Sequence, residues 1–387
     1  MKTYFPALTG VRAVAAFLVF FYHYILHVSA DAHSFIFKWL ILMAHQGHIG
    51  VPIFFVLSGF LITTRYATTI ELTGPWLRRY LQNRFARIYP LYFLLTLLTF
   101  IVMVSWPTQD WYEWQGPVTF SKKVAIVILN LTLTRSYFQS MQFLGVPTAW
   151  TLTVEETFYL CAPFLLIGVK RHIRWIYFYP LLLVSCGVLL VALCSHFLPR
   201  ASLLPTIEYM LSATFFGRCV EFMVGIGLAF WTASRYSHSQ QLHTEKATLL
   251  GCLGIMTVVL LLAIIEQTLP EASSAHQYTY ALVCYVLLPF PIAVLFWGLT
   301  QERTWLQQVL ATKTFDLLGK SSYAFYLIHL GVIDTLFNRY VTDNWVVRLV
   351  AYTFLSIALY KWVEHPFNKL LRAKMPVVQK QAVLEAA

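Results

Sequence analysis

The sequence of 387 residues has few charged side chains, since Asp, Glu, Lys and Arg together make up only 12% of it. A soluble domain is nearer to 25% charged, and 58% of this chain is hydrophobic, so an ordinary soluble fold is excluded. Acidic residues are the scarcer kind, and the formal net charge is +11. Because long apolar segments recur from end to end, the composition indicates a polytopic membrane protein. The basic residues cluster in short loops, which favours a role in topology over nucleic-acid binding.

Closely spaced cysteine pairs are also lacking. All six cysteines lie in apolar stretches and none forms a C-x-x-C motif, so we interpret them as packing residues. His33, His45 and His48 are the remaining candidates for a metal site. No carboxylate is placed with them, so we interpret them as solvent-facing loop residues and expect no metal.

Apolar runs of about twenty residues, the length that crosses a bilayer, predict an all-α transmembrane helix bundle with about ten spans. The predicted spans are 7–28, 48–66, 88–106, 150–169, 175–198, 213–232, 247–266, 279–299, 321–340 and 346–363. An eleventh apolar run, 124–133, is short and flanked by basic residues, and we interpret it as re-entrant or interfacial. We expect one membrane domain, residues 1–367, and a short cytoplasmic tail, residues 368–387.

The distribution of lysine and arginine predicts the orientation of the bundle. With ten spans and a cytoplasmic N-terminus, 19 of the 28 basic residues fall on the inner side, in agreement with the positive-inside rule. Counting 124–133 as a full span would move Lys170, Arg171 and Arg174 to the outer side. We therefore predict that both termini are cytoplasmic.

Ionisable residues within the predicted spans indicate a functional site. Arg12 and His23 share the first span, although such a side chain costs at least about 2.5 kcal/mol on insertion scales. They lie about 16 Å apart along a helix, with Arg12 near the inner leaflet and His23 in the outer half. Glu155 and Arg218 enter from the outer side on the fourth and sixth spans, and Glu221 lies one turn deeper. These charges predict a polar cavity, as in an enzyme or a transporter.

Arg84 and Arg87 open the third span at the predicted inner face, and their i, i+3 spacing puts them on one side of a helix. Arginine offers forked, permanently charged donors that suit phosphate, while simple positive-inside anchoring is the alternative. In the second span, Gly59 permits close helix packing and Ser58 can donate a hydrogen bond to a ligand. His329, in the ninth predicted span, is either a hydrogen-bonded core residue or a catalyst.

In combination and in order, these motifs resemble the membrane-bound acyltransferase 3 family, whose members O-acetylate saccharides and related hydroxyl compounds. The matching motifs are Arg12-x10-His23, residues 50–62, Arg84-x-x-Arg87-Ile88-Tyr89-Pro90, Trp150-Thr151-Leu152 with Glu155, Arg218-x-x-Glu221, Tyr326-Leu327-Ile328-His329 and Val363-Glu364-x-Pro366. They cover nearly the whole chain. Two positions depart from the pattern: Asn83 and His365 stand where the family often has arginine and lysine.

The resemblance implies an O-acyltransferase of the bacterial inner membrane. Acetyl-CoA, or another acyl-CoA, would enter from the cytoplasm and bind its phosphates to Arg84 and Arg87. Arg12 and Ser58 complete the expected donor site. The acceptor would be a hydroxyl of a saccharide or a lipid-linked glycan of the cell envelope, approaching from the outer side. Lipopolysaccharide, capsule, peptidoglycan and a small molecule all stay open as acceptors.

Three residues receive catalytic roles. His23 is the expected general base, because the ordinary pKa of an imidazole is about 6.5. From depth and charge, Glu155 is expected to orient the imidazole and Arg218 to stabilise the tetrahedral intermediate, while Glu221 is either part of this site or a counter-ion for Arg218.

Other functions stay open at this point. A transporter of an anionic metabolite also needs intramembrane charges, but the sequence lacks matching repeat halves. A different acyltransferase family with His329 as the base is the second alternative, and a non-catalytic scaffold is the third. Unlike the fused members of the acyltransferase 3 family, these 387 residues contain no hydrolase-like domain. We therefore expect direct transfer to an acceptor or to a separate protein.

Overall fold

The computed structural model describes residues 4–25, 35–106, 119–235, 246–270 and 272–373. These ranges consist of helices, turns and irregular segments with an isolated β-bridge between Phe138 and Leu203, and they contain no strand. The all-α prediction is therefore confirmed. The end of the predicted first span, 26–28, and most of the predicted tail, 374–387, lie outside the described residues.

The α-helices are labelled in chain order, and two π-helical segments join neighbouring helices. The α-helices are α1 (Pro6–Ile25), α2 (Phe35–Ala44), α3 (Gly50–Tyr66), α4 (Gly74–Ser105), α5 (Phe120–Leu131), α6 (Trp150–Arg171), α7 (Trp175–Phe197), α8 (Ile207–Ala213), α9 (Phe215–Arg235), α10 (Lys246–Thr268), α11 (Ser274–Ala281), α12 (Pro289–Gln301), α13 (Trp305–Leu310), α14 (Lys313–Ile328), α15 (Val332–Tyr340), α16 (Trp345–Leu359) and α17 (His365–Leu371). The π-helical segments are Leu282–Leu287 and Tyr360–Glu364.

Nine helical segments within the described ranges are long and apolar enough to cross a bilayer. They correspond to nine of the ten predicted spans. The second segment starts at Ile36, earlier than predicted, because α2 and a 3-10 turn run directly into α3. Helix α5 covers most of the short apolar run at 124–133 and has only 12 residues, too few for a full span.

The predicted ninth span, 321–340, is present as two shorter helices. Helix α14 ends at Ile328 and α15 begins at Val332. Between them Gly331 has a φ of +88°, a left-handed conformation that a residue with a Cβ adopts only with strain. A Cβ on Gly331 would also lie 2.7 Å from Cδ of Pro147. The apolar run is thus continuous in sequence, whereas the helix stops inside the bundle.

Helices α1 and α3 lie at the centre, since both contribute to the two largest apolar clusters. Helix α3 also packs closely on α9. A Cβ on Gly59 would lie 2.2 Å from the carbonyl oxygen of Phe222, and one on Gly225 would lie 2.1 Å from that of Val56. Small residues let helix backbones approach in this way in membranes. The predicted packing role of Gly59 is confirmed.

The surface of the bundle is apolar where a lipid bilayer would cover it. In α7 only Gly187 and Val191 are buried, whereas Leu181 is 68% exposed and Phe178 is 57% exposed. A soluble protein does not expose a contiguous apolar surface of this length. With the other long apolar helices, it makes the chain a multi-pass membrane protein.

Candidate active site

A cationic cavity of about 280 Å³ lies where α1 begins and α3 ends; we call the cavity the basic cavity and this end of the bundle the basic end. Five of its lining residues are cationic and none is Asp or Glu. The cations are Arg12, Arg65, Arg84, Arg87 and Lys320. Lys320 is also paired with Asp316 at 2.6 Å. Such an excess of cations around a cavity favours an anionic ligand.

Arg84 lines this cavity as a buried side chain with a donor that it does not use. As their spacing predicts, Arg84 and Arg87 both face the cavity from α4. Arg84 is buried, donates to the Tyr66 hydroxyl at 3.3 Å, and has its guanidinium carbon 5.6 Å from the centroids of the Tyr66 and Tyr159 rings. Its Nε–H is buried and has no partner among the described residues. The side chain is held in place and keeps a donor for an incoming anion.

A smaller cavity of about 70 Å³, which we call the central cavity, adjoins the basic cavity. The two share four lining residues: Arg12, Ser58, Leu61 and Arg87. Beyond them the central cavity is lined by Glu155 and reaches Thr151 and Tyr326. The structure thus brings Arg12, Ser58, Arg84, Arg87 and Glu155, five of the seven predicted site residues, around two adjoining cavities.

Glu155 lies in the central cavity and contacts neighbours other than the one expected. Its Oε1 accepts hydrogen bonds from the hydroxyls of Ser58 and Tyr159. Within the described chain it makes no hydrogen bond to His23, so the expected orientation of the imidazole by Glu155 is not seen. The helical face on which Glu155 lies directs it towards Arg12, with which it interacts electrostatically.

A second carboxylate, Glu364, also faces the arginines and had no predicted role. It lies in the π-helical segment that joins α16 to α17, and it interacts electrostatically with Arg12 and Arg87. Its Oε2 is buried and has no hydrogen-bond partner among the described residues. The only sequence signal was the closing Val363-Glu364-x-Pro366 motif. Glu155 and Glu364 therefore interact with Arg12 and Arg87, whereas no carboxylate lines the basic cavity itself.

Two histidines meet at the other end of α1, which we call the histidine end. Nδ1 of His23 lies 2.8 Å from the carbonyl oxygen of Val19 and 3.3 Å from Nε2 of His329. Nδ1 of His329 lies 2.9 Å from the carbonyl oxygen of Tyr326. Because a carbonyl oxygen only accepts, each neutral imidazole carries its hydrogen on Nδ1. Nε2 of His23 then has a free lone pair, and no described residue hydrogen-bonds to it.

The surroundings of His23 are fixed by a polar network on three helices. Asp334 of α15 accepts from the hydroxyl of Tyr24 on α1 at 2.5 Å and from that of Tyr352 on α16 at 2.7 Å. Arg348 of α16 pairs with the same carboxylate at 3.2 Å. Asp334 also acts electrostatically on His23. The network ties the second half of the broken ninth span to the end of α1.

Tyr326 connects the central cavity with the histidines. Its side chain lines the cavity and its hydroxyl accepts from Thr151 at 3.2 Å. Its carbonyl oxygen is the partner of His329, whose ring centroid lies 5.6 Å from that of Tyr326. Neither histidine is among the lining residues of the two cavities. One residue therefore separates the cavity from the histidine pair.

Arg218 of α9 is buried, and its guanidinium is held by hydrogen bonds to α9 and to the neighbouring helix α8. Nε and one terminal nitrogen donate to the two carboxylate oxygens of Glu221, at 2.6 and 2.7 Å, and the other terminal nitrogen donates to the carbonyl oxygen of Ser212 at 3.3 Å. The guanidinium carbon also lies 4.0 Å from the ring centroid of Tyr285. Arg218 lines neither cavity. Glu221 is its counter-ion, and stabilisation of a tetrahedral intermediate by Arg218 stays a prediction.

No group of three or more His, Cys, Asp or Glu side chains that could hold a metal ion occurs in the described part of the chain, and His33 lies outside that part. The interpretation of His48 as a solvent-facing loop residue is wrong, because it lies half-buried in a 3-10 segment. His48 is instead part of a side-chain network: its Nε2 lies 2.6 Å from the hydroxyl of Tyr280, which donates to Gln46 at 3.0 Å. Gln46 in turn donates to Glu266 at 2.7 Å.

The chain belongs to the acyltransferase 3 family, because the family's acyltransferase-domain model matches residues 5–360. This is the family that the motifs predicted, and membership of it favours an acyltransferase over the transporter and scaffold alternatives. No solved structure matches the chain.

The chain is similar to curated proteins of three species. It is 27% identical over 391 residues to the peptidoglycan O-acetyltransferase OatA of Listeria monocytogenes, covering 95% of this chain and 56% of OatA. It is 27% identical over 386 residues to YrhL of Bacillus subtilis, provisionally named as a peptidoglycan O-acetyltransferase, covering 94% and 55%. A protein of Staphylococcus aureus (strain COL), provisionally named as an O-acetyltransferase, is 24% identical over 388 residues, covering 95% and 58%. The chain thus spans little more than half the length of these relatives.

Proposed function

We propose that the protein transfers an acetyl group from acetyl-CoA to a hydroxyl of a cell-envelope saccharide. The observation that carries this proposal is the basic cavity, with five lining cations and no lining carboxylate, adjoining a smaller cavity that reaches the neighbour of the histidine pair. Acetyl-CoA has a polyanionic end, which matches the basic cavity, and a thin uncharged arm, which could extend into the central cavity.

The charge distribution assigns each part of CoA to a region. Its diphosphate and 3′-phosphate would bind the arginines that line the basic cavity, above all Arg84 and Arg87, because forked guanidinium donors suit phosphate oxygens. The pantetheine arm is uncharged. It would lie in the central cavity, where Arg12 and Arg87 interact with Glu155 and Glu364. Ser58, which lines both cavities, would contact this arm.

His23 is the general base of the proposed reaction. Its Nε2 removes the proton of the acceptor hydroxyl as the oxygen attacks the thioester carbonyl carbon. The tetrahedral intermediate collapses by breaking the C–S bond, and the proton held by His23 passes to the CoA sulfur. The products are the acetyl ester and CoA, and no proton is gained or lost overall.

The acceptor and the membrane follow from the relatives and from the charge bias. OatA is named for peptidoglycan, so a saccharide of the bacterial cell envelope, free or lipid-linked, is the proposed acceptor class. We propose that the protein lies in the inner membrane with both termini in the cytoplasm. The basic end would then face the cytoplasm, as the positive-inside rule requires. Acetyl-CoA, which is made in the cytoplasm, would reach the basic cavity directly.

The test is acetyl transfer by the purified protein in proteoliposomes that contain lipid-linked glycan, with radiolabelled acetyl-CoA as the donor. We expect radiolabel in the glycan and release of free CoA. Tight binding of acetyl-CoA without transfer would point to a different acceptor. Absence of acetyl-CoA binding to the wild-type protein would overturn the donor assignment.

A further inference from the structure

His329 is fully buried and contacts His23, yet the mechanism above gives it no task. It is 0% exposed and lies at the end of α14. The ring of Phe325 lies nearly parallel to it, with an interplanar angle of 12° and a centroid distance of 6.2 Å, and the ring of Phe20 lies 6.4 Å away. Packed aromatic rings hold the imidazole in one orientation.

The break in the ninth span provides the acceptor that fixes the hydrogen of His329. The last carbonyl groups of a helix have no intrahelical partner. At the end of α14, the carbonyl oxygen of Phe325 accepts from the backbone N–H of His329 at 3.2 Å, and the carbonyl oxygen of Tyr326 accepts from its Nδ1 at 2.9 Å. In a continuous helix the carbonyl of Tyr326 would be taken by the backbone N–H of residue 330. The helix break at the left-handed Gly331 therefore leaves the carbonyl oxygen of Tyr326 free to accept from Nδ1 of His329.

This arrangement leaves one nitrogen of His329 to act on His23. With the hydrogen of His329 on Nδ1, the lone pair of its Nε2 faces the Nδ1–H of His23 at 3.3 Å. The Nδ1–H of His23 therefore lies between two acceptors, the carbonyl of Val19 and the imidazole of His329. Both acceptors hold the proton of His23 on Nδ1 and keep its Nε2 free for substrate.

We infer that His329 is the positioning residue of His23, an inference that rests on the proposed function. It fixes the tautomer and the ring orientation of the base, and it accepts a stronger hydrogen bond when His23 becomes an imidazolium. In serine hydrolases a buried carboxylate holds the histidine in this way. A neutral imidazole acts as the same kind of acceptor without a second charge in the bilayer. Because Nε2 of His329 faces His23 and is buried, His329 is not itself the base.

Two amide substitutions separate this role from packing. His329→Gln puts an amide oxygen near the place of Nε2, so it can still accept from His23. His329→Asn puts the same amide near the place of Nδ1, so it keeps the bond to the Tyr326 carbonyl and loses the one to His23. The measurement is the kcat and KM of acetyl transfer in proteoliposomes, with CoA release followed separately. His276→Asn, at a histidine in α11 outside this pair, is the matched control.

We expect His329→Asn to lower kcat by about 10- to 100-fold with little change in the KM for acetyl-CoA, as loss of an orienting partner does elsewhere. His329→Gln should retain most of the rate, and His276→Asn should match the wild type. Equal rates for the Gln and Asn variants, whether both high or both low, would overturn the inference. If His23→Ala abolishes transfer in the same preparation, that result would leave the proposed function standing. A wild-type protein that neither binds acetyl-CoA nor transfers its acetyl group would overturn the proposed function and the inference together.

Discussion

The basic end and the histidine end of the bundle handle charge in opposite ways. At the basic end five cations line a cavity without a lining carboxylate, and buried Arg84 keeps a donor without a described partner. At the histidine end Asp334 is surrounded by Tyr24, Tyr352 and Arg348. Unbalanced charge at a cavity favours a ligand, whereas balanced charge fixes the positions of side chains. The two ends are therefore assigned to donor binding and to positioning of the base.

The largest expected effect comes from the base itself. His23→Ala removes the proposed proton acceptor, so transfer should fall by at least about 100-fold. Acetyl-CoA binding at the basic end should be unchanged, because His23 lines neither cavity. Steady-state transfer and equilibrium binding, measured on the same preparation, check both parts. Wild-type rates of acetylation by this variant, at the same amount of inserted protein, would end the general-base assignment.

Substitutions of Arg218 and Glu221 test whether this buried ion pair contributes to the stability of the protein. Arg218→Met leaves the buried Glu221 without its counter-ion, which should destabilise the protein by about 3–5 kcal/mol. The double variant Arg218→Met with Glu221→Leu removes both charges and should recover thermal stability. Transfer by the double variant, measured alongside unfolding in detergent, then tests the predicted catalytic role: a stable double variant that retains transfer would contradict the stabilisation of the tetrahedral intermediate by Arg218. A stable double variant without transfer would instead support the role of Arg218 at the tetrahedral intermediate.

The arginines of α4 test the basic cavity with a control on the same helix. Arg87→Ala and Arg84→Ala should each weaken acetyl-CoA binding by roughly 10- to 100-fold, since a charge-assisted hydrogen bond contributes about 1.5–3 kcal/mol. Arg78→Ala changes an exposed arginine outside both cavities and should leave the affinity unchanged. Equal losses for all three variants would mean that the overall positive charge, and not the cavity, binds the donor.

The smallest expected effect concerns the break in the ninth span. Gly331→Ala forces a Cβ into a left-handed conformation and against Pro147, which should cost about 1–3 kcal/mol of stability. Because the break carries His329, transfer should fall while acetyl-CoA affinity stays the same. Thermal unfolding with a transfer assay checks this. An unchanged melting temperature and rate would show that the backbone at residue 331 is not strained.

Part of this account could be predicted from the sequence. The lengths of the apolar runs located the spans, and the i, i+3 spacing predicted that Arg84 and Arg87 lie on one side of a helix. Both signals depend only on neighbouring residues. The direction of Glu155 was not predictable, since depth along a helix does not specify which face points inward. The contact between His23 and His329 joins residues 306 apart in sequence and depends on packing. The helix break was hidden because the apolar run continues through Gly331. Glu364 faces the arginines from a π-helical segment that a 3.6-residue period does not describe.

The most direct test of the central claim is a sided transfer assay. Proteoliposomes in which all protein molecules have the same orientation would contain lipid-linked glycan in the membrane. Radiolabelled acetyl-CoA would be supplied either on the side of the basic end or on the side of the histidine end. The account predicts labelled glycan only when acetyl-CoA is supplied on the side of the basic end, and no label with His23→Ala. Equal labelling from acetyl-CoA on the side of the histidine end would contradict it.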